Sequence, residues 1–147
     1  DLAAVYGVAV ETVTEETALP FGDAELTIFP PLGTGGSNEL GLTVLATAGD
    51  FDLLIPGDMP GETERLLLDH ARLPRVEVLV AGHHGARTST TEELLNAIRP
   101  ETVLISAGAN NRYGHPARGT LDRLAAAGAD IYRTDLQGNI TVRTRTS

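Results

Sequence analysis

The sequence predicts a single mixed α/β domain in which a β-meander is followed by alternating strands and helices. The chain has 147 residues, 41% of them hydrophobic and 21% charged, which is enough for one domain with a sizeable core. Its first half carries short alternating stretches separated by turn residues, a pattern typical of antiparallel strands. Its second half alternates continuous apolar runs with helical patterns, which indicates buried strands connected by helices.

The first half is predicted to form a meander. Strands are expected where apolar and polar residues alternate, at residues 8–13, 24–29, 40–46 and 51–55. Turns or loops are expected where glycine, proline, asparagine and aspartate cluster, at residues 20–23, 33–38 and 49–50. Proline cannot donate to a strand ladder, so Pro30 and Pro31 end the second strand.

The second half is predicted to alternate between the two element types. Helices are expected at residues 60–71, 91–98 and 120–127, and strands at 76–81, 102–106 and 130–133. Residues 88–90 can cap the second of these helices, and Gly128 can end the third. A final strand is expected at residues 139–143, after a hairpin turn at 136–138.

Composition and charge exclude several classes of protein. With no cysteine, the chain has neither disulfides nor thiolate ligands. The formal net charge is −9, and residues 1–64 carry twelve acids and no base, which argues against a wide non-specific nucleic-acid surface. The longest apolar runs have about six residues, far short of a membrane span, and we expect no signal peptide.

Asp58 is the first candidate functional residue. The strand predicted at residues 51–55 leads directly into Pro56, Gly57 and Asp58. Both oxygens of a carboxylate are acceptors, so an aspartate at this point can bind a metal ion or bridge two. The alternative is a helix N-cap, because a predicted helix follows, and taken alone the Gly-Asp pair favours the cap.

His83 and His84 are the second candidates. They follow the strand predicted at residues 76–81, with a glycine on either side that permits a sharp turn and a close ligand. Adjacent side chains of an extended chain point in opposite directions. We therefore expect one imidazole to face a metal ion and the other to support it or carry a proton. The alternative is a hydrogen-bonded pair of loop histidines.

A polar loop after the strand predicted at residues 102–106 is the third candidate. Its chemically active side chains are Asn111, Arg112, Tyr113 and His115. An arginine fork with neighbouring amide and phenol groups suits a phosphate, and the alternative is a rigid connection to the next helix. Arg87 can also meet an anion or help to cap a helix. His70 is predicted to be a surface residue.

Four strings, taken in order, resemble a known family. They are Ile55-Pro-Gly-Asp58, Gly82-His-His-Gly85 with Thr88-Ser-Thr90, Ser106 to Pro116, and Tyr132-Arg-Thr-Asp135. Together they resemble the C-terminal metallo-β-lactamase-like domain of the ComEC competence family of DNA-uptake proteins, or a soluble stand-alone relative. The Asn-Asn-Arg-Tyr-Gly-His-Pro string is the most specific part. The resemblance implies an αββα sandwich with a dinuclear metal site between its two sheets.

The resemblance also implies roles for the matching residues. Asp58 would bind or bridge the metal, and His84, with His83 as the alternative, would be the histidine ligand beside it. His115 would be the catalytic proton carrier. The residues implied in substrate or phosphate binding are Arg87, Asn111, Arg112 and Tyr113. The implied cofactor is a divalent metal, Zn or Mn.

Two departures from the family pattern qualify this resemblance. The superfamily places its main ligands on a His-x-His-x-Asp-His motif in the N-terminal half, whereas the first histidine here is His70. We therefore expect residues 1–147 to be one partial domain, the C-terminal half with a mixed sheet, that binds metal weakly and has negligible activity alone. Ala86 stands where the family usually has serine, which removes a hydroxyl near the site.

The function expected from the resemblance is that of a metal-dependent hydrolase domain in DNA uptake, acting on phosphodiesters as a nuclease does. Two alternatives remain: a non-catalytic module that binds an anion or nucleic acid, and a hydrolase of a small phosphoester or ester. Expected partners are DNA or another phosphate-containing substrate and the N-terminal half of the domain. A second copy is also expected, because apolar faces would otherwise stay uncovered. The family implies a bacterial protein, associated with the cell envelope or secreted.

Overall fold

The structure, a computed structural model, describes residues 2–144, which form one seven-stranded sheet and several helices. The strands are β1 (Thr17–Phe21), β2 (Ala24–Phe29), β3 (Thr43–Ala48), β4 (Phe51–Ile55), β5 (Val78–Val80), β6 (Thr102–Ile105) and β7 (Asp130–Arg133). The helices are α1 (Leu2–Val5), α2 (Gly61–His70), α3 (Glu92–Ile98), α4 (Arg118–Ala126) and α5 (Thr134–Gln137). A 3₁₀ turn spans Gly82–Gly85.

The strands lie in the sheet in the order in which they occur in the chain. β1 to β4 pair antiparallel; two-residue turns join β1 to β2 and β3 to β4, and the longer segment 30–42 joins β2 to β3. β4 to β7 pair parallel, with α2, α3 and α4 as the three connections. Right-handed crossovers that all advance in the same direction place their helices on the same face of a sheet. The chain therefore builds one sheet layer and one helical layer.

The core lies between these two layers. Its fully buried members from the parallel strands are Leu54, Leu79, Val103 and Ile105, and those from the helices are Leu67, Leu94, Ile98 and Leu124. Each of these side chains is shielded from water, and burial of one such side chain stabilises the fold by roughly 2 kcal/mol. The same core fixes the carboxyl ends of the parallel strands, where the polar loops begin.

The opposite face of the sheet is apolar and has much less cover. The register aligns Leu26, Ala46 and Leu53 across three strands, and it aligns Val80, Leu104 and Tyr132 across three more. We define the open face by its larger half-buried or exposed side chains: Leu19, Leu26, Ile28, Val44, Leu53, Ile55, Val80, Leu104 and Tyr132. In the part of the chain that the structure describes, this face therefore presents a continuous apolar surface.

Most predicted elements are confirmed. β2, β4 and β7 have the predicted bounds, and β3, β5, β6, α2, α3 and α4 differ from their predicted bounds by one to three residues at an end. The cap of α3 is Thr91, whose Oγ1 accepts a hydrogen bond from the backbone N–H of Leu94, rather than residues 88–90. Gly128 follows α4 with a φ of 77°, as expected for a residue just beyond a helix end.

The two terminal predictions were wrong. Residues 8–13 form no strand, and Val8 and Val10 are 60% and 71% exposed, because alternation alone supplies no partner strand. Residues 139–143 form no strand either, and the expected hairpin turn falls partly within α5. There the Gln137 side chain accepts a hydrogen bond from the Arg133 backbone N–H at 2.5 Å, which turns the chain into a helix. β1 was not predicted.

Candidate active site

The carboxyl ends of three neighbouring strands carry the candidate residues. β4 is followed by Asp58, β5 by His83 and His84, and β6 by the loop that ends at His115. Since β4, β5 and β6 are parallel, these ends lie at one edge of the sheet, where α/β proteins gather reactive groups. The structure thus brings together the four residues that the sequence selected.

His84 faces Asp58 through one ring nitrogen and is fixed through the other. Nδ1 of His84 lies 2.8 Å from the backbone oxygen of Ser106. A carbonyl oxygen only accepts, so Nδ1 is the donor in this contact, and in the neutral imidazole Nε2 carries the lone pair. That Nε2 lies 3.8 Å from Oδ1 of Asp58. The alternative role of Asp58 as a helix cap is not observed, because the N-cap of α2 is Pro60.

The histidine pair has an unusual backbone. His83 and His84 have φ angles of 48° and 57°, so both adopt the left-handed conformation rather than the extended one expected from the sequence. For residues other than glycine this conformation costs about 1–2 kcal/mol each. It puts both rings in the site: the His83 ring centroid lies 6.3 Å from that of His84 and 5.7 Å from that of His115. Backbone strain of this kind clusters at functional sites.

Asn111 organises the loop after β6. Its Nδ2 donates to the backbone oxygens of Gly108 and His115, and its Oδ1 accepts from the backbone N–H of His115. The amide predicted to bind phosphate is therefore engaged within its own loop, where it holds the His115 backbone. Arg112 donates to the Tyr113 hydroxyl at 3.0 Å, and the Tyr113 ring stacks on the His115 ring at 5.9 Å.

His115 lies in a setting that favours its neutral form. Burial lowers the pKa of His115, and the neighbouring His83 and His84 lower the pKa further, whereas the Asp58 carboxylate opposes them. Its Nδ1 is buried and has no hydrogen-bond partner among the described residues. A neutral imidazole with a free nitrogen can accept a proton near pH 7.

Two hollows flank the histidine pair. One, of about 260 Å³, is lined by His84, Ser106, Ala107, Gly108, Asn111, Tyr113 and His115. The other, of about 370 Å³, is lined by Gly36, Ser37, Asn38, Glu39, Asp58, Pro60, His83 and Thr88. Arg87 is exposed and lines neither hollow. The predicted 33–38 loop thus forms part of one wall, a role that the sequence did not indicate.

Residues 2–144 do not contain a complete metal centre. Within them, no group of three or more histidine, aspartate or glutamate side chains is close enough to hold an ion. Among the described residues, Asp58 and His84 lie 3.8 Å apart, and the His83 ring lies next to those of His84 and His115. No described helix is long and apolar enough to cross a membrane. His70 is exposed at the end of α2, as predicted.

An ion pair next to the site braces the end of β6. Arg133 and Asp135 form two hydrogen bonds, at 3.0 and 2.6 Å, and their side chains are 23% and 11% exposed. Between them, Thr134 accepts from the backbone N–H of Ala107 and donates to the Ala107 carbonyl oxygen, both at 2.9 Å. The string that the family resemblance singled out thus supports the floor of the first hollow.

This ion pair predicts a loss of stability in acid. Arg133 lowers the pKa of Asp135 below its ordinary 3.8, so the contribution of the ionised carboxylate is present above pH 3.8 and is lost as the pH falls through the lowered value. Urea unfolding of the wild type and Asp135→Asn should differ at pH 6 and converge towards pH 2. The control is Asp122→Asn, which disrupts the exposed pair with Arg118. A similar pH-dependent difference in this control would contradict the prediction.

Sequence reasoning gave no role at the site to Glu64 and Arg123, and it named Thr90 only as a possible helix cap and as part of a matching string. Glu64 and Thr90 are fully buried, and Arg123 donates to backbone oxygens of the turn that follows the histidines. The one available signal was periodicity: Glu64 lies three residues before the buried Leu67 of the same helix, and therefore on its inner face. An acid on an inner face requires hydrogen-bond donors.

No family model matches the chain. Among curated proteins, it is 32% identical to ComE operon protein 3 of Bacillus subtilis over 93% of the chain. It is 39% identical to competence protein ComA of Neisseria gonorrhoeae over 62% of the chain, and 30% identical to recombination protein 2 of Haemophilus influenzae over 74%. The matched regions span 18%, 13% and 14% of these bacterial proteins.

A solved structure supports the fold class. The CmlA β-hydroxylase E377D mutant, which has a metallo-β-lactamase fold, aligns with a TM-score of 0.56 at 16% sequence identity. The alignment covers 86% of this chain and 32% of that one. At this identity the similarity shows the fold alone. The predicted metallo-β-lactamase-like class with a mixed sheet is therefore confirmed, and residues 2–144 supply one sheet with its helical layer.

Proposed function

The chain belongs to the ComEC family of competence proteins, and on this premise we propose that it supplies one half of a metal-dependent phosphodiesterase centre that acts on DNA. The observation that carries the proposal is the convergence of Asp58, His83, His84 and His115 at the ends of three parallel strands. The names of the relatives refer to competence and recombination, processes in which DNA is the material handled.

The donor pair fits part of a divalent metal site. Histidine ligands commonly donate their second ring N–H to a backbone carbonyl or a carboxylate, and His84 does this towards Ser106. Asp58 and His84 would hold the ion, with His83 as the alternative ligand. A bound Zn²⁺ or Mn²⁺ activates water and polarises a phosphoryl oxygen. A catalytic zinc usually has three protein ligands, so we assign the remaining ligands to residues outside 2–144.

The other side chains of the site have separate tasks in this proposal. His115, whose pKa burial and the neighbouring histidines lower, stays neutral near pH 7 and accepts a proton during the reaction. Asn111 holds the His115 backbone in place. Arg112 lines neither hollow, but it packs on Tyr113, which lines the first one, and offers its remaining donors to a phosphate there. Arg87 is exposed and can reach a phosphate only outside the two hollows.

An extended substrate suits this edge better than a small ester. His84 lines one hollow and His83 lines the other, and together the hollows are lined by residues from four loops. A polynucleotide can place one phosphodiester at the histidines and occupy both hollows. A second candidate function, a non-catalytic module that binds an anion, is favoured by one observation: residues 2–144 contain no group of three metal ligands.

Zinc binding tests the proposal and separates it from the second candidate. We expect the purified chain to bind one Zn²⁺ weakly in calorimetric titration, and Asp58→Asn and His84→Gln each to weaken that binding at least tenfold, because each removes one of few ligands. The control His70→Gln removes an exposed histidine of α2 and should leave the affinity unchanged. Mn²⁺ should behave in the same way.

Two results would contradict the proposal. If the wild type binds no Zn²⁺ or Mn²⁺, the anion-binding module is the better description of the site. If His70→Gln weakens binding as much as His84→Gln does, the metal is held by surface histidines in general. We also expect no hydrolysis of single-stranded DNA by the isolated chain, and hydrolysis when the upstream part of the domain is joined to it.

A further inference from the structure

Glu64 of α2 is a buried carboxylate that has no direct place in the site. It is 0% exposed. One of its oxygens accepts from the backbone N–H of Thr90 at 2.5 Å, and the other accepts from the backbone N–H and the hydroxyl of Thr91 at 2.9 and 2.8 Å. A charged group is tolerated in a protein interior only when hydrogen bonds replace its hydration. Glu64 is thus committed to the turn that follows the histidines.

Arg123 of α4 binds the same turn through its carbonyl groups. Its guanidinium donates to the backbone oxygens of Arg87, Ser89 and Thr90, at 3.2, 2.8 and 3.2 Å. A guanidinium carries five donors in a fixed plane, so one side chain can serve several carbonyls. Glu64 thus accepts hydrogen bonds from N–H groups of the turn, whereas Arg123 donates hydrogen bonds to its C=O groups. We call these two residues the clamp.

The turn held by the clamp is tied directly to the histidine pair. The backbone N–H of Gly82, the residue before His83, donates to Oγ1 of Thr90 at 3.0 Å in the buried interior. Thr90 itself has a φ of 55°, a conformation that threonine adopts only when its surroundings impose it. The hydroxyl of Ser89 donates to the backbone oxygen of Met59, next to Asp58. The turn therefore contacts both loops that supply the donor pair.

We propose that Glu64 and Arg123 are positioning residues that set the orientation of His84 towards Asp58. By fixing the turn at residues 87–91, the clamp holds Gly82 and, through it, the left-handed backbone of His83 and His84. The backbone of His84 in turn directs Nδ1 to Ser106 and Nε2 to Asp58. The proposal rests on the proposed function for its consequence in metal binding, and on the hydrogen bonds for its geometry.

The test compares Glu64→Gln with two matched variants of the same helix. Glutamine replaces one acceptor oxygen with an NH₂ donor that faces the N–H groups of the turn. Leu67→Ala removes a fully buried core side chain that cannot hydrogen-bond to the turn, and Glu62→Gln changes an exposed carboxylate. Two quantities are measured: zinc affinity by calorimetry, and the ¹⁵N shifts of the His84 ring in the metal-free chain, which report which nitrogen carries the proton.

We expect Glu64→Gln to weaken zinc binding at least tenfold and to shift the His84 ring from the Nδ1-protonated form towards a mixture of tautomers. Leu67→Ala should lower the urea midpoint but leave the zinc affinity within twofold of the wild type and the His84 ¹⁵N shifts unchanged. Glu62→Gln should change neither the zinc affinity nor the ¹⁵N shifts. If Glu64→Gln does not fold, Arg123→Leu takes its place, with Arg118→Leu on the exposed side of α4 as its control.

The outcomes separate this proposal from the proposed function. If Leu67→Ala changes both readings as Glu64→Gln does, or if Glu64→Gln changes neither, the clamp has a general structural role and the proposal is overturned. If the wild type binds no zinc but Glu64→Gln still changes the His84 ¹⁵N shifts, the proposed metal centre fails and the positioning role stands.

Discussion

Replacement of Gly85 by alanine is expected to lower the free energy of unfolding by about 2–4 kcal/mol. Gly85 has a φ of 79°, and a Cβ atom placed on it would lie 2.7 Å from Cβ of Pro116 and 3.2 Å from its Cα. Its carbonyl oxygen accepts a hydrogen bond from the backbone N–H of Ala117 at 2.9 Å. The loop after β5 and the loop after β6 therefore meet at this glycine, and a methyl group would push them apart.

Urea unfolding of Gly85→Ala and of a matched variant measures this effect. Gly128 has a similar φ of 77°, but a Cβ atom there meets nothing within 4 Å. Gly128→Ala should therefore cost only the backbone penalty of about 1–2 kcal/mol. Equal losses of unfolding free energy in the two variants would contradict the predicted clash between a Cβ atom at residue 85 and Pro116. The displaced loops should also separate the His83 and His115 rings, which stack edge to face at 5.7 Å.

The parallel half of the fold was predictable because its signals are local. Each signal can be recognised from a few adjacent residues. These signals are the apolar runs that form β5 and β6 and the Gly-Asp and Gly-His-His-Gly strings at strand ends. Parallel strands with their carboxyl ends at one edge then bring these strings together without further information. That is why the sequence could place Asp58, His84 and His115 at the same edge of the sheet, and why the family resemblance, which uses the same strings, was correct.

The remainder depended on partners that are distant in the sequence. The alternation at residues 8–13 predicted a strand, yet a strand also requires a neighbour with free ladder groups. Glu64 accepts a hydrogen bond from Thr90, which lies 26 residues further along the chain, and no short sequence pattern predicts such a contact. The left-handed backbone of the histidine pair is imposed by the turn at residues 87–91 rather than by the histidines themselves. The predicted cap of α3 was displaced for the same reason, because Thr90 is bound to Glu64 and Gly82.

The apolar open face predicts that the chain associates with a second copy of itself. Seven strands about 4.8 Å apart, with about five residues per strand on average at about 3.3 Å per residue, span roughly 500 Å². That lies at the upper end of the apolar patches that soluble monomers expose. Ile55 and Tyr132 on this face are 36% and 43% exposed. We propose that the upstream part of the domain covers this face in a longer protein, and that a second copy covers it when the chain is alone.

Leu53→Glu is expected to weaken self-association about 100-fold or more, because a charge in the middle of an apolar interface remains desolvated and unpaired. Leu53 lies on β4, at the centre of the open face, between Ala46 and Val78. The glutamate side chain that replaces Leu53 would face water in the free chain, so the fold itself should persist. Sedimentation velocity over a range of concentrations gives the dissociation constants of both proteins.

Leu66→Glu is the matched control, since it makes the same chemical change at a leucine of α2 that is 44% exposed and lies outside the open face. It should leave association unchanged. A wild-type chain that stays monomeric at high concentration would show that the open face needs no cover from a second copy. Equal weakening by both substitutions would place the interface elsewhere. If only Leu53→Glu dissociates the chain, the open face is the surface that joins two copies.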